Sequence, residues 1–444
     1  MTPRRELRRR RALPKIGLPM ATTPLRQLLT VLHSCIKGGN PGRALRLLIT
    51  NMPRTEGDFL LRRYAAEILL GLDRRDEAVA IFELLVRHFT NAGQPLLALA
   101  VARVLVNLDR ENAGSQLDHI ASIYAQGSPF IDPEATLRDP LDQTRLVNGA
   151  TLDLSGTEPD LSLDDLIAKV HEMSTQKEGL ASNADAVPPV PLLSLLDSAT
   201  LRTVLDQIEL RTMAPDTVIC APGEPIEETL WLLMGELKVT LSDDRSGKLG
   251  PGALIGHRSL LAATPALATV AARTQGTAEV LALSNKALQA LRRDTQFMKA
   301  SARFNTACRT EHVLTTCPMF SPVPQEERRE LLDYMEPLRL ADDTVLIEQG
   351  EFSPGLFLIV DGHVDINKQS AGEEIGMTIK TMGSGDVVGE ISVVTDSAAV
   401  ATVVTDGTAR VLFVNRTHFY QLTTRYPAVL DRLRESAASR LLGE

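Results

Sequence analysis

The sequence predicts a multidomain protein in which an N-terminal α-helical repeat precedes two C-terminal α+β domains, each a β-roll or jelly-roll sandwich with flanking helices. Helical periodicity spans residues 21–126, an acidic and turn-rich stretch spans 127–190, and a strand-rich pattern occurs twice, over 191–315 and 316–444. The chain has 444 residues, and at about 150 residues per domain it is long enough for about three domains.

Composition and motifs exclude several classes of function. A net charge of −9 and an aromatic content of 4% argue against DNA binding and against base-stacking or carbohydrate-binding surfaces. No P-loop, nucleophile elbow or kinase motif occurs, so we expect no catalytic residue. The 4 cysteines and 8 histidines show no metal-ligand spacing, so we expect no metal site and a reducing, cytoplasmic location. No apolar run is long enough to predict a membrane span.

Residues 1–20 open with the basic stretch MTPRRELRRRRALPK, which contains seven Arg or Lys and one Glu. We expect a disordered tail, because no apolar run follows that would make it a secretory signal. A basic arm that binds nucleic acid or anionic lipid is one alternative. The other is that the chain starts at Met20.

The first helical pattern, PLRQLLTVLHSCIKGGNPGRALRLLI, places apolar residues at i, i+3, i+4 and i+7 on each side of a Gly-Gly-Asn-Pro break. The pattern returns in DEAVAIFELLVRHF, so that Ala44 and Ala78 are 34 residues apart. This period and the small alanines resemble the second helix of the tetratricopeptide repeat, although the Trp-Leu-Gly-Tyr pattern of its first helix is missing. A generic stack of α-hairpins is the alternative. Either arrangement offers an extended groove, so we expect residues 21–126 to bind a protein partner.

Residues 127–190 contain twelve Asp or Glu against four Lys or Arg, with frequent Pro, Gly, Ser and Thr. Such a segment buries too little apolar surface to offset the entropy of ordering. We therefore expect a disordered acidic linker that lets the helical head fold independently of the sandwiches. The pattern SLDDLIAKVHEM interrupts it, with Ser162 as a helix cap and Leu163, Leu166, Ile167 and Val170 on one face. This island is either a docking motif or a transient helix.

Residues 191–444 contain an internal duplication. With a shift of 127 residues, PDTVICAPGEPIEETLWLLMGELKV aligns with DDTVLIEQGEFSPGLFLIVDGHVDI. The shift grows to 133 at GALIGHRSLL, which aligns with GDVVGEISVV, because the second copy has six extra residues around SAGEEI. Short apolar and alternating runs between glycine turns predict an antiparallel sandwich or barrel in each copy. A helical stretch follows each copy.

Both copies resemble the cyclic nucleotide-binding domain family. Four features occur in the family's order: a Pro-Leu-Phe-like start, a V-I-x-x-G-E turn, an L-x-x-G-x-V strand and a cassette that opens with spaced glycines. They are PMF, VLIEQGE, IVDGHVDI and GDVVGE in the second copy, and PLL, VICAPGE, LLMGELKV and GALIGH in the first. The helix around residues 286–315 resembles the family's relay helix, which moves when a ligand fills the cassette.

In this family the cassette Glu accepts a hydrogen bond from the ribose 2′-hydroxyl, and a later Arg neutralises the cyclic phosphate. The resemblance puts Glu390 in the first role but Ala399 in the arginine position. The first copy has His257 in place of the Glu and Ala266 in place of the Arg. The candidate ligand-binding residues of the second cassette are Gly385, Gly389, Glu390, Ile391, Ser392, Ala399, Ala401 and Thr402. Those of the first are Gly252, Gly256, His257, Arg258, Ala266 and Thr269.

Three functions stay open for the sandwiches. One charge-assisted hydrogen bond contributes about 1.5–3 kcal/mol, so we expect ordinary cyclic nucleotide binding to be weak or lost and the domains to serve protein contacts. Alternatively, they bind another small ligand, with Arg258 or a cation from another element supplying the charge. The third alternative is that the second copy binds cAMP or cGMP and relays binding to a protein partner.

The sequence as a whole predicts a non-enzymatic signalling or scaffold protein of bacterial type, located in the cytoplasm. Its head binds a protein partner through residues 21–126, and no DNA partner is expected. No cofactor is certain, and cAMP or cGMP at the second sandwich is the candidate ligand. Homo-oligomer formation stays open through the helices near 286–315 and 418–442.

Overall fold

The structure is a computed structural model that describes residues 24–135, 145–147, 149–220, 225–241, 246–261, 264–265, 268–272, 277–369 and 377–442. The chain divides into two compact units, which comprise Gly17–Phe304 and Asn305–Glu444. The predicted basic tail at 1–20 and the alanine at Ala266 lie outside the described residues. Among the residues described, no helix has the length and apolarity that crossing a membrane requires.

The head of the first unit is helical between residues 24 and 124, as the sequence predicts. Its helices are α1 (Pro24–Lys37), α2 (Pro41–Asn51), α3 (Phe59–Gly71), α4 (Arg75–Asn91), α5 (Pro95–Leu108) and α6 (Arg110–Tyr124). Asn40 caps α2 after the Gly-Gly turn, because its side chain accepts a hydrogen bond from the N–H of Arg43. Assignment of these helices to the tetratricopeptide family stays a prediction.

The disorder expected of the acidic linker is wrong for the part that the structure describes. This part contains β2 (Arg145–Leu146), which pairs with β1 (Thr55–Glu56), and the helix α7 (Leu163–Ser174). Ser162 caps α7, and Leu166, Ile167 and Val170 are buried in the core of the first unit. Leu163, expected on the same face, is instead exposed, because it is the first residue of the helix. The segment has few apolar residues of its own, but the head supplies an apolar surface against which they pack, and this burial orders the segment.

The head and the first sandwich share one hydrophobic core. This core includes Leu28 and Phe82 from the head and Trp231 and Leu281 from the sandwich, and all four side chains are fully buried. Removing the head would expose this core to water, which argues against the expectation that the head folds independently of the first sandwich. The acidic segment does not act as a boundary because it contributes residues to the same core.

The first sandwich begins with helix α8 (Ser198–Gln207). Its strands are β3 (Glu209–Met213), β4 (Val218–Cys220), β5 (Pro225–Ile226), β6 (Thr229–Met234), β7 (Leu237–Leu241), β8 (Ser246–Leu249), β9 (Leu254–Ile255), β10 (Thr264–Pro265), β11 (Ala268–Ala272) and β12 (Ala278–Leu283). Two antiparallel sheets have the orders β4-β11-β7-β8 and β3-β12-β6-β9, and β10 pairs with β5. The helical stretch predicted around 286–315 is two helices, α9 (Asn285–Leu291) and α10 (Thr295–Thr316).

The second sandwich forms one sheet with the order β13-β18-β15-β16, in which β14 also pairs with β18 and β17 with β15. These strands are β13 (Glu336–Leu340), β14 (Val345–Ile347), β15 (Gly355–Lys368), β16 (Met377–Met382), β17 (Val387–Val388) and β18 (Thr402–Asn415). The helices of this domain are α11 (Glu390–Thr395), α12 (Arg416–Arg425) and α13 (Pro427–Leu442). Leu358 packs in a core with α12 and α13, whereas its neighbours Phe357 and Ile359 face a second core inside the sandwich.

Candidate functional site

The opening glycine of the cassette occupies the same place in both sandwiches. The N–H of Gly252 donates to the carbonyl of Leu232 at 2.8 Å, and the N–H of Gly385 donates to the carbonyl of Ile359 at 2.9 Å. Both glycines have a positive φ, 87° for Gly252 and 93° for Gly385, a conformation that glycine adopts without strain. The duplication found in the sequence therefore extends to the hydrogen bonds of the two turns.

The second glycine of each cassette is required because another main chain passes close to it. Gly256 and Gly389 have φ angles of 75° and 88°. A Cβ atom would lie 2.1 Å from the carbonyl oxygen of Glu228 at the first position and 2.5 Å from that of Gly355 at the second. No side chain fits such a space, so glycine is needed at both. Each glycine leads into a short helical turn, His257–Leu260 in the first copy and α11 in the second.

We expect Gly389→Ala to destabilise the second unit more than its matched control, Gly385→Ala. Both positions have a positive φ, which costs an L-residue roughly 1–2 kcal/mol. Only Gly389 adds a clash, since nothing lies within 4 Å of a Cβ at Gly385. Urea unfolding of the full chain, followed by circular dichroism, measures the difference. Equal losses from the two substitutions would contradict the close approach of the main chain at Gly389.

Glu390 is buried, with 2% of its surface exposed, and the C-terminal helix binds it. Nη1 of Arg440, on α13, lies 2.7 Å from Oε1 of Glu390 and 2.8 Å from the carbonyl oxygen of Val387. Burial raises the pKa of the Glu390 carboxyl, and the charge of Arg440 acts in the opposite direction. The carboxylate that the resemblance assigns to a ribose hydroxyl is thus engaged within the chain.

Ala399, in the arginine position, is half-buried and pairs with the turn that follows β14. Its N–H donates to the carbonyl of Glu351 at 2.8 Å, and its carbonyl accepts from the N–H of Gly350 at 2.9 Å. The hydroxyl of Thr402 accepts from the N–H of Gln349 at 3.1 Å. This end of the cassette is therefore held by hydrogen bonds to the turn.

The remaining candidates of the second cassette are enclosed by the domain itself. Ala401 and Ser392 are buried, and Ile391 is half-buried. The hydroxyl of Ser392 accepts from the N–H of Ser353 at 2.9 Å and donates to the carbonyl of Ser397 at 2.5 Å. These bonds give Ser392 a structural role within the loop.

Arg416, which the sequence analysis did not single out, braces the same loop. Its Nε donates to the carbonyl of Ser353 at 2.9 Å, and its Nη1 lies 2.9 Å from Oδ1 of Asp396. Arg416 and Arg440 both come from helices that follow the cassette, so a search for a cation inside the cassette misses them. The sequence does contain one signal for such a cation. Glu390 begins the apolar run of α11, which indicates that its carboxylate is buried, and a buried carboxylate requires a counter-ion.

In the first sandwich, His257 takes the position that Glu390 has in the second. It is half-buried, and its ring faces the ring of Phe304 edge-on at 6.2 Å between centroids. Ser259, the counterpart of Ser392, donates to the carbonyl of Glu228 at 3.0 Å. The first cassette therefore has an imidazole at the position where the second has the carboxylate of Glu390.

Parts of the first cassette lie outside the described residues. Arg292, which follows α9, donates to the carbonyls of Ser259 and Leu260 and braces the turn from the helical side. The main chain of Thr269 pairs with Thr240 in the sheet. The side chains of Arg258 and Thr269, and the whole of Ala266, lie outside the described residues.

Comparison with known proteins identifies the two sandwiches. The family model of the cyclic nucleotide-binding domain matches residues 210–295 and 337–426. A cAMP-dependent protein kinase type II regulatory subunit of Drosophila melanogaster is 24% identical over 266 residues, which cover 60% of this chain and 68% of that protein. A cAMP-dependent protein kinase regulatory subunit of Mycosarcoma maydis is 28% identical over 233 residues, which cover 51% of this chain and 39% of that protein.

Among solved structures, the regulatory domain of Toxoplasma gondii PKA with cAMP is similar to this chain. It is 22% identical, with a TM-score of 0.28, and the match covers 56% of this chain and 92% of that one. The two regulatory subunits from Drosophila melanogaster and Mycosarcoma maydis are eukaryotic proteins, so they do not support the bacterial type expected from the sequence.

The two ranges that the family model matches coincide with the two sandwiches and leave out the head and the acidic segment. Each range contains the glycine turns that begin the cassette, with equivalent main-chain hydrogen bonds. The C-terminal half of this chain therefore consists of two tandem cyclic nucleotide-binding domains.

Proposed function

We propose that this chain is a non-enzymatic regulatory protein whose second cyclic nucleotide-binding domain has weak or no affinity for ordinary cyclic nucleotides. In this proposal the helical head recruits a protein partner, and the two sandwiches form the regulatory half. Both curated relatives are named as regulatory subunits of a protein kinase. We extend to this chain only the coarse role that those names describe, the regulation of a protein partner without catalysis.

The contact between Glu390 and Arg440 carries the proposal. A cyclic nucleotide that used Glu390 for its ribose hydroxyl would first have to break a charge-assisted hydrogen bond within the chain. It would then find a methyl group at Ala399, where the family supplies an arginine. A charge-assisted hydrogen bond contributes about 1.5–3 kcal/mol, which corresponds to roughly 10- to 150-fold in affinity.

Ligand binding in the second domain is the alternative, and the preserved cassette favours it. Gly385, Gly389 and Glu390 keep the conformations that start the cassette, and α11 begins at the carboxylate. Arg440 belongs to the last turn of the terminal helix, so a ligand that took over Glu390 would release that helix. In this alternative, cAMP or cGMP displaces Arg440 and the movement of α13 reaches the partner.

Calorimetry of the full chain with cAMP and cGMP distinguishes the two functions. We expect little binding to the wild type and at least tenfold tighter binding to Ala399→Arg, because the guanidinium restores the counter-ion of the phosphate. Adding Glu390→Ala to this variant should weaken binding again. The matched control is Ala266→Arg in the first cassette, which should gain much less because His257 is a poor acceptor for a ribose hydroxyl.

Two results would contradict the proposed loss of nucleotide binding. One is tight binding of cAMP by the wild type that Ala399→Arg does not improve, which would mean that a cation from outside the cassette binds the phosphate. The other is a wild-type affinity that falls in Glu390→Ala, which would show that the carboxylate already serves a ligand. Either result favours the receptor alternative.

A further inference from the structure

Part of the acidic segment lies along the head, where head side chains donate hydrogen bonds to its main-chain carbonyl groups. We call residues 151–182 the strap, and the head side chains that bind its carbonyl groups the carbonyl-binding face. The carbonyl-binding face consists of Arg43, Arg46, Thr50, Asn51, Arg54, Arg62 and Asn91. These residues come from α2, α3 and α4 and from the short turn after α2.

Asn51 binds the strap as a neighbouring β-strand would. Its Nδ2 donates to the carbonyl of Asp153 at 2.8 Å, and its Oδ1 accepts from the N–H of the same residue at 2.8 Å. Arg43 adds two bonds, to the carbonyls of Ser155 at 3.0 Å and Leu154 at 3.2 Å. This part of the face therefore recognises an extended main chain rather than particular side chains.

The same pattern continues along α2. Arg46 donates to the carbonyl of Pro159 at 3.1 Å, and Thr50 donates to the carbonyl of Glu158 at 2.9 Å. Arg54 donates to the carbonyl of Thr151 at 2.9 Å. Three guanidinium groups thus line a strip of peptide from 151 to 159 in which Asp153 and Glu158 are acidic.

One position of the strap is restricted by close packing. Gly156 is buried with a φ of 62°, and a Cβ there would lie 2.8 Å from Cγ of Arg43 and 2.9 Å from Cγ of Leu47. A larger residue would push the strap away from α2. The face therefore combines tolerance for most side chains with a requirement for glycine at this one position.

The two halves of the strap are attached differently. Leu166, Ile167 and Val170 anchor α7 in the core, whereas Thr151, Ser155, Thr157 and Glu158 are exposed. Within 151–159, Leu152 and Leu154 are half-buried and pack against the same core. Detaching this stretch exposes these two leucines but leaves the fully buried side chains of α7 in place, and its main-chain groups regain hydrogen bonds from water.

We propose that the part of the carbonyl-binding face formed by Arg43, Arg46, Thr50, Asn51 and Arg54 is a peptide-binding site that residues 151–159 occupy in cis. A partner protein binds there through an extended acidic segment with glycine at the position of Gly156. The proposal rests on the proposed function, in which the head recruits a protein partner. Beyond that function, it specifies the surface of the head that binds the partner and the chemistry of the partner's segment. It also implies that residues 151–159 block the site when no partner is bound. A tethered segment has an effective concentration of up to the millimolar range, so a partner must compete with the strap.

A labelled synthetic peptide of residues 149–161, GATLDLSGTEPDL, tests the proposal against the full chain. Gly156→Val in the chain should expel the strap from α2 and open the face. We expect the peptide to bind this variant at least tenfold more tightly than the wild type, by fluorescence anisotropy. A peptide that itself carries Gly156→Val should not bind. Arg43→Ala in the opened chain should weaken binding about tenfold, whereas Arg87→Ala, at an exposed arginine of α4, should not.

Hydrogen exchange of the wild-type chain gives a second measurement that needs no destabilising variant. Excess unlabelled peptide should accelerate exchange of the Asp153 amide, which donates to Asn51 in the resting chain. Equal peptide affinity for the wild type and Gly156→Val, insensitivity to Arg43→Ala, or unchanged exchange at Asp153 would each overturn the inference. The proposed loss of nucleotide binding would survive such a failure, since calorimetry with cAMP tests it separately.

Discussion

Replacing Arg63 by alanine is expected to lower the free energy of unfolding of the first unit by about 3–5 kcal/mol. The side chain of Arg63, on α3, is 6% exposed and pairs with Glu67 at 2.9 Å and with Glu279, on β12, at 2.8 Å. Its removal leaves two carboxylates close together without a counter-ion. Burial raises the pKa of Glu67, and the charge of Arg63 opposes that rise, so without Arg63 the effect of partial burial on this carboxylate is no longer opposed.

Trp231 provides the measurement, because it is the single tryptophan of the chain and is fully buried in the core that the head and the first sandwich share. Urea unfolding followed by its fluorescence reports on the first unit. Arg211→Ala is the matched control, since Arg211 also pairs with two carboxylates but is 32% exposed. We expect the control to cost less than about 1 kcal/mol, as exposed pairs do.

A second substitution separates the charge effect from the loss of packing. Glu279→Gln in the Arg63→Ala background should recover part of the stability, because it removes one of the two unpaired carboxylates. If Arg63→Ala costs no more than Arg211→Ala, the buried pair does not hold α3 to β12. The head and the first sandwich would then depend on apolar packing alone.

Arg440→Ala is expected to destabilise the second unit by about 2–5 kcal/mol at neutral pH, because it leaves Glu390 buried without its counter-ion. The size of this effect should depend on pH. Burial already raises the folded-state pKa of Glu390, and without Arg440 that pKa rises further. A carboxyl group with a raised folded-state pKa stabilises the fold most below its unfolded pKa and loses that contribution as pH rises through the folded pKa. The loss in Arg440→Ala should therefore be smaller near pH 5 than near pH 7.

Urea unfolding followed by circular dichroism measures this loss. Trp231 fluorescence reports on the first unit alone, so a transition seen by circular dichroism but not by fluorescence belongs to the second unit. Glu390→Gln combined with Arg440→Ala should be more stable than Arg440→Ala at pH 7 and should lack its dependence on pH. Arg432→Ala is the control on the same helix, since Arg432 is 56% exposed and pairs with Glu435 at 3.2 Å. A loss in Arg440→Ala that does not change between pH 5 and 7 would contradict the assigned role of Glu390.

The tandem sandwiches were predictable because their signals are local. Gly256 and Gly389 recur at matching positions, and the structure shows that both have positive φ and adjoin a carbonyl oxygen of another main-chain segment. The assignment of Ala399 to the family's arginine position comes from the sequence resemblance and stays a prediction. The role of Glu390 was only half predicted. The sequence predicts its place in the cassette. It does not predict its partner, because Arg440 lies 50 residues further along the chain.

The sequence by itself determined the order of helical head, acidic segment and duplicated sandwiches, since hydrophobic periodicity and glycine turns depend on neighbouring residues. Only the tertiary structure decided which charges are neutralised and which segments are ordered. Arg63 and Glu279 are 216 residues apart and still form a buried pair. Leu166 and Val170 are too few to fold their acidic segment alone, but they pack on a surface that the head provides. Burial and charge pairing depend on proximity in space, which a local pattern does not contain.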